Sequence, residues 1–366
     1  MIDRMQSDSI TCARVLCIFS VMFVHVYSGY PHPWPVFGAF EGRDVLFHFF
    51  TDVLGRSSVP LLTIISGWLL ARQNGHGYPA LLRTKLKTLV VPMILWSVAL
   101  LVLIALHAAV TGRNTGLPGT ALGWVNAVAS ITQAPVNGPL AFLRDLFVVF
   151  LISPVLLPLV RRLGIWLLLV LFCGTELFPS SPFLLRSQIL LFFSIGMYLS
   201  NIDVVRIRYP VVVAAFAFVM LTFAYDLARL SEGLPAAGYF GKASLFRISV
   251  AILIWSVCGA IARAPIRWVQ RLEPYCFIAF CSHVLTFEVL SVPGRMVFGR
   301  ADSPAYPIYF LLQPVLAFVA AIALTELLSV TSPTMLRILN ANRLPRTLLR
   351  QQGLPWRRSA PEMERR

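Results

Sequence analysis

The fold is decided by residues 11–27, TCARVLCIFSVMFVHVY, which place an arginine and a histidine inside an apolar run typical of a membrane-spanning helix. Arg14 and His25 are eleven residues apart, and on an α-helix this spacing gives about 20° of rotation and roughly 16 Å of rise. Both side chains are therefore predicted to point the same way. Charged groups at membrane depth usually face a protein interior or a water-filled cavity. Taken alone, the segment fits a functional pair of residues. It fits equally well an Arg14 that snorkels to the membrane surface as an anchor and a His25 that hydrogen-bonds to a neighbouring helix.

The composition is that of a membrane protein. Of the 366 residues, 57% are hydrophobic and 13% are charged, about half the charged fraction of a usual soluble domain. Apolar segments of about 20 residues predict an all-α polytopic bundle of about ten transmembrane helices. They lie at approximately 9–29, 46–71, 88–110, 139–160, 163–179, 183–200, 209–229, 244–262, 273–292 and 306–330. The fifth and sixth are short, and fit either one helical hairpin or two tilted half-spans.

Basic residues collect between the apolar segments. The formal charge is +15, but no basic stripe carries interleaved aromatics, so we expect no nucleic-acid partner. The distribution of Lys and Arg predicts that both termini are cytoplasmic. Residues 1–335 are predicted to form the transmembrane domain, and 336–366 a basic, disordered cytoplasmic tail that contacts anionic lipid. The six cysteines lie in apolar segments without a CxxC pair, which predicts buried free thiols rather than a disulfide or metal framework.

Five stretches, in this order, resemble the acyltransferase-3 family of integral membrane acyltransferases. The first is the Arg14 and His25 pair. The others are RSSVPLLTIISGWLL at 56–70, RTKLKTLVVPMILWS at 83–97, GPLAFLRDLFVVFLISPVL at 138–156 and EPYCFIAFCSHVLTF at 273–287, which carries His283. The sequence departs from the family pattern at Ala141, where a tryptophan is usual.

The resemblance implies transfer of an acyl group, commonly acetyl, from cytoplasmic acyl-coenzyme A to a hydroxyl of an exported or cell-envelope glycan. The expected partners are acyl-coenzyme A, membrane lipid, a polysaccharide or lipid-linked glycan acceptor, and envelope glycan assembly proteins. The expected location is the bacterial inner membrane. Acetyl or succinyl as the acyl group, and direct transfer or a covalent enzyme intermediate, both remain open at this point.

Candidate catalytic and donor-binding residues follow from these stretches. His25, kept neutral by burial, is suited to accept the proton of a sugar hydroxyl, and Arg14 to hold phosphate or carbonyl groups of the coenzyme. His283 is either a third catalytic residue or a hydrogen-bonded packing residue. Three cytoplasmic basic residues are placed to attract coenzyme phosphates, although the positive-inside tendency explains them equally well: Arg83, Lys85 and Lys87.

Candidate acceptor-binding residues lie nearer the outer face. Arg144 and Asp145 are either acceptor-binding residues or charges at a helix end. As neighbours on a helix they are about 100° apart and are predicted to reach different partners rather than each other. Arg56 is either an acceptor-binding residue or an interface anchor.

Two other function classes fit the same bundle. Ten spans with prolines and buried charges also suit a transporter or exporter of a glycan or small metabolite, but no inverted repeat is visible. A non-catalytic scaffold would explain the basic tail but not Arg14 and His25. Acyl transfer from acetyl-coenzyme A without an ion gradient would distinguish the enzyme from a transporter.

Overall fold

The computed structural model describes residues 4–26, 42–73, 77–112, 116–180, 183–201, 207–234, 238–264, 267–300 and 303–343. Within these ranges the chain is helical and forms no strand, so the predicted all-α class is confirmed. The described α-helices are α1 (Arg4–Met22), α2 (Gly42–His48), α3 (Arg56–Ala71), α4 (Tyr78–Lys85), α5 (Val91–Thr111), α6 (Ala121–Ala129), α7 (Ala141–Leu163), α8 (Ile165–Leu177), α9 (Gln188–Tyr198), α10 (Tyr209–Ser231), α11 (Lys242–Ile261), α12 (Arg267–Leu272), α13 (Cys276–Phe298), α14 (Tyr306–Thr331) and α15 (Pro333–Leu339).

Seven helical segments among the described residues are long and apolar enough to cross a membrane. They are Gly42–Ala71, Tyr78–Thr111, Gly138–Leu163, Tyr209–Ser231, Lys242–Ile261, Arg267–Phe298 and Tyr306–Thr331. Two of the seven contain π-helical turns, at Phe49–Gly55 and Leu86–Val90. Two further apolar helices, α8 and α9, are shorter. The seven long segments, α8, α9 and α1 coincide with the ten predicted segments. The number of helices that cross the membrane stays a prediction, and so does the cytoplasmic location of both termini.

Helix α1 lies inside the bundle, in contact with α3, α11, α13 and α14. Cys12, Ala13, Cys17 and Met22 on this helix are fully buried. A helix that carries charged residues is tolerated at this position because protein rather than lipid surrounds it. All six cysteines are free, as predicted, but the predicted burial is wrong for Cys173, which is exposed on α8.

Helices α3 and α9 approach each other at two glycines. A Cβ atom on Gly67 would lie 2.1 Å from the carbonyl oxygen of Phe193, and one on Gly196 would lie 2.0 Å from the carbonyl oxygen of Ile64. Small residues of this kind allow membrane helices to pack backbone against backbone. This contact holds the short helix α9 against the central part of the bundle.

The chain after α14 turns back onto the bundle. Leu336 of α15 and Asn340 are fully buried. Trp96 Nε1 donates to the carbonyl oxygen of Leu339 at 3.4 Å, and Asn340 Nδ2 donates to that of Pro274 at 3.0 Å. The expected disorder from residue 336 is therefore wrong for 336–343, because an apolar face of α15 finds partners on α5. Residues 344–366 lie outside the described residues, and the domain boundary stays a prediction.

Candidate active site

His25 lies just beyond the end of α1. Phe23, Val24 and His25 donate their backbone N–H groups to carbonyls three residues back, the last to Met22 at 3.0 Å. The α-helical spacing used to align Arg14 with His25 therefore applies only as far as Met22, because the last turn is tighter. His25 nevertheless faces the interior, where its ring centroid is 5.4 Å from that of His283 on α13.

His283 is fully buried, and its hydrogen bonding defines its tautomer. Nδ1 lies 2.7 Å from the carbonyl oxygen of Phe280. A carbonyl oxygen only accepts, so Nδ1 carries the proton and a neutral ring then has its lone pair on Nε2. Within the described ranges this Nε2 atom is buried without a hydrogen-bond partner. The arrangement offers a proton-accepting nitrogen beside His25.

Aromatic rings and one buried amide fix the position of His283. Phe280 and Phe287 lie 6.1 Å and 5.5 Å from it between ring centroids. The fully buried Asn137 donates from Nδ2 to the carbonyl oxygen of Cys281 at 3.0 Å. Sequence reasoning missed Asn137, which immediately precedes the fourth quoted stretch and lies in a loop whose partner, Cys281, is distant in sequence.

Cationic groups from separate elements lie around Arg14 in the middle of α1. Arg14 Nη1 lies 3.4 Å from Glu273 Oε1. Lys85 Nζ lies 4.1 Å from the centroid of the Phe150 ring, and Arg343 Cζ lies 4.8 Å from that of Phe277.

The charges of Lys85 and Arg343 act on each other and on that of Arg14. The predicted Lys85 thus faces Arg14, whereas Arg83 and Lys87 are exposed. Arg343 was missed because the sequence placed it in a tail.

Arg144 and Asp145 contact each other, which corrects the expectation of separate partners. Arg144 Nη1 lies 2.7 Å from Asp145 Oδ1, because the long arginine side chain folds back across the 100° between neighbouring positions.

The same pair fastens two loops together. Arg144 also donates to the carbonyl oxygens of Ser130, Ile131 and Phe183. Asp145 accepts from the backbone N–H groups of Leu185 and Arg186, both at 3.0 Å. The contacts are those of a structural clamp, and a role of either residue in acceptor binding stays a prediction.

Two hydrogen-bonded chains of polar side chains lie outside the histidine pair. In the first, Asp52 accepts from Arg56 Nε at 3.0 Å and lies 3.1 Å from His48 Nδ1. These three residues are spaced four apart in the sequence, which is the spacing at which side chains on a helix contact each other, so the sequence alone could have indicated this chain.

The second chain joins α8, α9 and α11. Arg247 donates to Gln188 Oε1, Gln188 Nε2 donates to Glu176 Oε1 at 3.2 Å, and Ser244 donates to the same carboxylate. No short motif could have revealed it, because its members come from three distant parts of the chain.

A family model described as an acyltransferase domain matches residues 7–332, nearly the whole chain. The chain belongs to the acyltransferase-3 family. The acyltransferase is similar to the succinoglycan biosynthesis protein ExoH of Rhizobium meliloti (strain 1021), with 29% identity over 360 residues that cover 93% of this chain and 94% of that protein. No solved structure matches the chain.

The acyltransferase thus brings some of the predicted residues together and separates others. His25 and His283 are in ring contact, and Arg14 with Lys85 forms the cytoplasmic cluster. Across the described part of the acyltransferase, no group of three or more His, Cys, Asp or Glu side chains is placed to hold a metal ion. The predicted absence of a metal stays a prediction.

Replacing Asp145 with asparagine is expected to destabilise the acyltransferase by about 3 kcal/mol, because the substitution removes the buried carboxylate charge that Arg144 contacts at 2.7 Å and to which two backbone N–H groups donate. Thermal unfolding of the purified protein in detergent measures the change. Glu232→Gln, an exposed carboxylate on the outer side, is the matched control and should leave the melting temperature unchanged. A melting temperature for Asp145→Asn equal to that of the control would contradict the clamp.

Proposed function

We propose that this acyltransferase transfers an acyl group, acetyl in the first instance, from cytoplasmic acyl-coenzyme A to a hydroxyl of an exopolysaccharide or other cell-envelope glycan in the bacterial inner membrane. The observation that carries the proposal is the contact of His25 with His283, whose Nε2 lone pair is buried and free to accept a proton among the described residues. A sugar hydroxyl becomes an effective nucleophile only when a base removes its proton.

The chemistry at this pair is direct transfer. The acceptor O–H gives its proton to an imidazole nitrogen as the oxygen attacks the thioester carbonyl. The C–S bond of the tetrahedral intermediate then breaks, and the imidazolium returns the proton to the departing coenzyme thiolate. The two histidines provide for both proton transfers, so the reaction needs no covalent acyl-enzyme. The surrounding rings of Phe280 and Phe287 exclude water that would otherwise hydrolyse the thioester.

The cytoplasmic cluster supports a coenzyme site. Arg14, Lys85 and Arg343 supply positive charge of the kind that binds phosphate. The rise from Arg14 to His25, about 12 Å along the α-helix to Met22 and about 6 Å over the tighter last turn, is comparable with an extended pantetheine arm. A coenzyme whose phosphates lie at the cluster would therefore place its thioester near His25.

The relative supports a glycan acceptor, because its name assigns it to succinoglycan biosynthesis. The two expected acyl groups differ in charge, and transfer assays with acetyl- and succinyl-coenzyme A would separate them.

The proposal is tested by reconstituting the purified acyltransferase in liposomes without an ion gradient, with isotope-labelled acetyl-coenzyme A and the surface polysaccharide of a deletion strain. We expect the label in the glycan with wild-type protein and none with His25→Ala. In parallel, mass analysis of polysaccharide from the deletion strain should show loss of an acyl group that the wild-type gene restores. A glycan unchanged by the deletion would overturn the proposal and favour transport.

Arg343→Gln and Lys85→Gln are each expected to weaken binding of acetyl-coenzyme A about thirtyfold, since one charge-assisted hydrogen bond contributes about 2 kcal/mol. Calorimetric titration of the coenzyme into detergent-solubilised protein measures the affinity. Arg263→Gln, which removes an exposed arginine elsewhere in the protein, is the control for loss of net charge. Equal affinity of all three variants would place the coenzyme elsewhere.

A further inference from the structure

Three arginines converge on the outer side of His25 from three separate elements. Arg56 opens α3 at the level of His25, because the preceding Gly55 packs on the last turn of α1: a Cβ atom there would lie 2.6 Å from Val24 Cγ2 and 2.9 Å from the Ser20 carbonyl oxygen. Arg186 lies two residues before α9, and Arg247 of α11 hydrogen-bonds to Gln188, the first residue of that helix. The N-terminal end of α9 therefore brings Arg186 and Arg247 to one place.

The charges of these arginines act on one another. Arg247 interacts electrostatically with Arg56 and Arg186, and Arg186 with Arg56. Arg56 and Arg186 also act on His25. The three guanidinium groups and the histidine thus belong to one electrostatic unit, although no short sequence motif connects them.

Positive charge in this unit exceeds the negative charge that acts on it. Asp52 and Glu176 act on Arg247, and Asp145 acts on Arg186 but is itself in contact with Arg144, so four arginines share three carboxylates. Arg56 has Asp52 as its partner at 3.0 Å. In the described ranges neither Arg186 nor Arg247 has a carboxylate within salt-bridge distance; Arg247 donates instead to the neutral amide of Gln188. The nearby Glu176 carboxylate already accepts from Gln188 and Ser244. Holding like charges together inside a membrane protein is costly unless an anion joins them.

Arg186 is exposed and Arg247 half-buried, so a ligand can reach both. A guanidinium fork matches the oxygens of a carboxylate or phosphate, and two forks grip one such group from different directions. The arginines lie on the opposite side of His25 from the Arg14, Lys85 and Arg343 cluster that the coenzyme would occupy. The anion therefore arrives with the other substrate.

We propose that Arg56, Arg186 and Arg247 bind an oxyanion carried by the acceptor. This proposal rests on the proposed function, which identifies the acceptor glycan as the molecule that carries the oxyanion. The oxyanion is either the carboxylate of an acidic sugar or the diphosphate that links a glycan to its lipid carrier. Bound there, it holds the acceptor so that a hydroxyl one or two sugar lengths away meets His25.

The test measures anion binding without requiring acyl transfer. Full-length protein in detergent is unfolded by heat at constant ionic strength with methyl glucuronide, inorganic pyrophosphate or the neutral methyl glucoside. At least one anion should stabilise the wild type more than the neutral sugar does. Arg186→Gln, a change at an exposed side chain, and Arg247→Gln should each weaken its apparent affinity tenfold or more, while Arg300→Gln, an exposed arginine outside both clusters, should match wild type.

The different ligands distinguish an acidic sugar from a lipid-linked diphosphate, and the different variants distinguish the two clusters of cationic residues. Tighter binding of methyl glucuronide assigns an acidic sugar, and tighter binding of pyrophosphate assigns a lipid-linked diphosphate. The proposal is overturned if the neutral sugar stabilises as well as either anion, or if anion binding is lost in Arg343→Gln but kept in Arg186→Gln. Acetyl-coenzyme A binding on the same preparation tests the proposed function separately, since that site can fail while the anion site remains.

Discussion

Replacing His283 with alanine is expected to lower the rate constant of acyl transfer about 1000-fold, in the range lost when a general base is removed. The expected loss is in kcat rather than in donor affinity, because the ring lies at the reacting end of the site, away from the cytoplasmic cluster. His25→Ala should have a similar effect. The double variant should be little worse than either single one, because residues that act as a unit lose their contributions together.

His283→Asn separates catalysis from packing. An asparagine amide can still donate to the carbonyl oxygen that His283 Nδ1 contacts at 2.7 Å, but it has no basic nitrogen. We expect this variant to fold like wild type and to be as inactive as His283→Ala. His107→Ala, an exposed histidine on α5, is the control for histidine removal and should retain full activity. Substantial transfer by His283→Asn in reconstituted liposomes would show that His283 serves only packing.

Gly67→Ala and Gly196→Ala are each expected to destabilise the protein by about 3 kcal/mol, which is the upper end of what overpacking usually costs. The added methyl groups would meet carbonyl oxygens of the facing helix at 2.1 Å and 2.0 Å. Those oxygens belong to backbone that cannot rotate away, so α3 and α9 must separate. Thermal unfolding and the yield of monodisperse protein in detergent measure the loss.

Gly174→Ala is the matched control, because this helical glycine has nothing within 4 Å of an added Cβ atom. It should stabilise the protein slightly, since alanine is favoured over glycine inside a helix by about 0.5–1 kcal/mol. If all three variants melted together, the close approach of α3 and α9 would not limit stability.

The sequence was sufficient for the membrane segments, because a run of apolar residues long enough to cross a bilayer carries its own signal. Hydropathy does not say which helices are neighbours. The contact between His25 and His283 could therefore not be predicted from the sequence, although the family resemblance identified both residues.

Other features depended on tertiary contacts that no local pattern encodes. Arg144 folds onto Asp145 because two loops offer it three further acceptors. Arg343 reaches Phe277 because α15 packs back on the bundle. Arg186 and Arg247 are ordinary interfacial arginines in the sequence, and become a pair only through the end of α9.

The short helices α8 and α9 have a consequence for the surrounding lipid. A helix of 13 residues, such as α8, rises about 20 Å, while the hydrocarbon layer of a bilayer is about 30 Å thick. Trp166 and Val170 on α8 are 71% and 67% exposed, so acyl chains beside this helix must shorten or tilt to match it. We therefore expect a thinned patch of bilayer against this flank, and an activity that varies with the chain length of the lipids in which the enzyme is reconstituted.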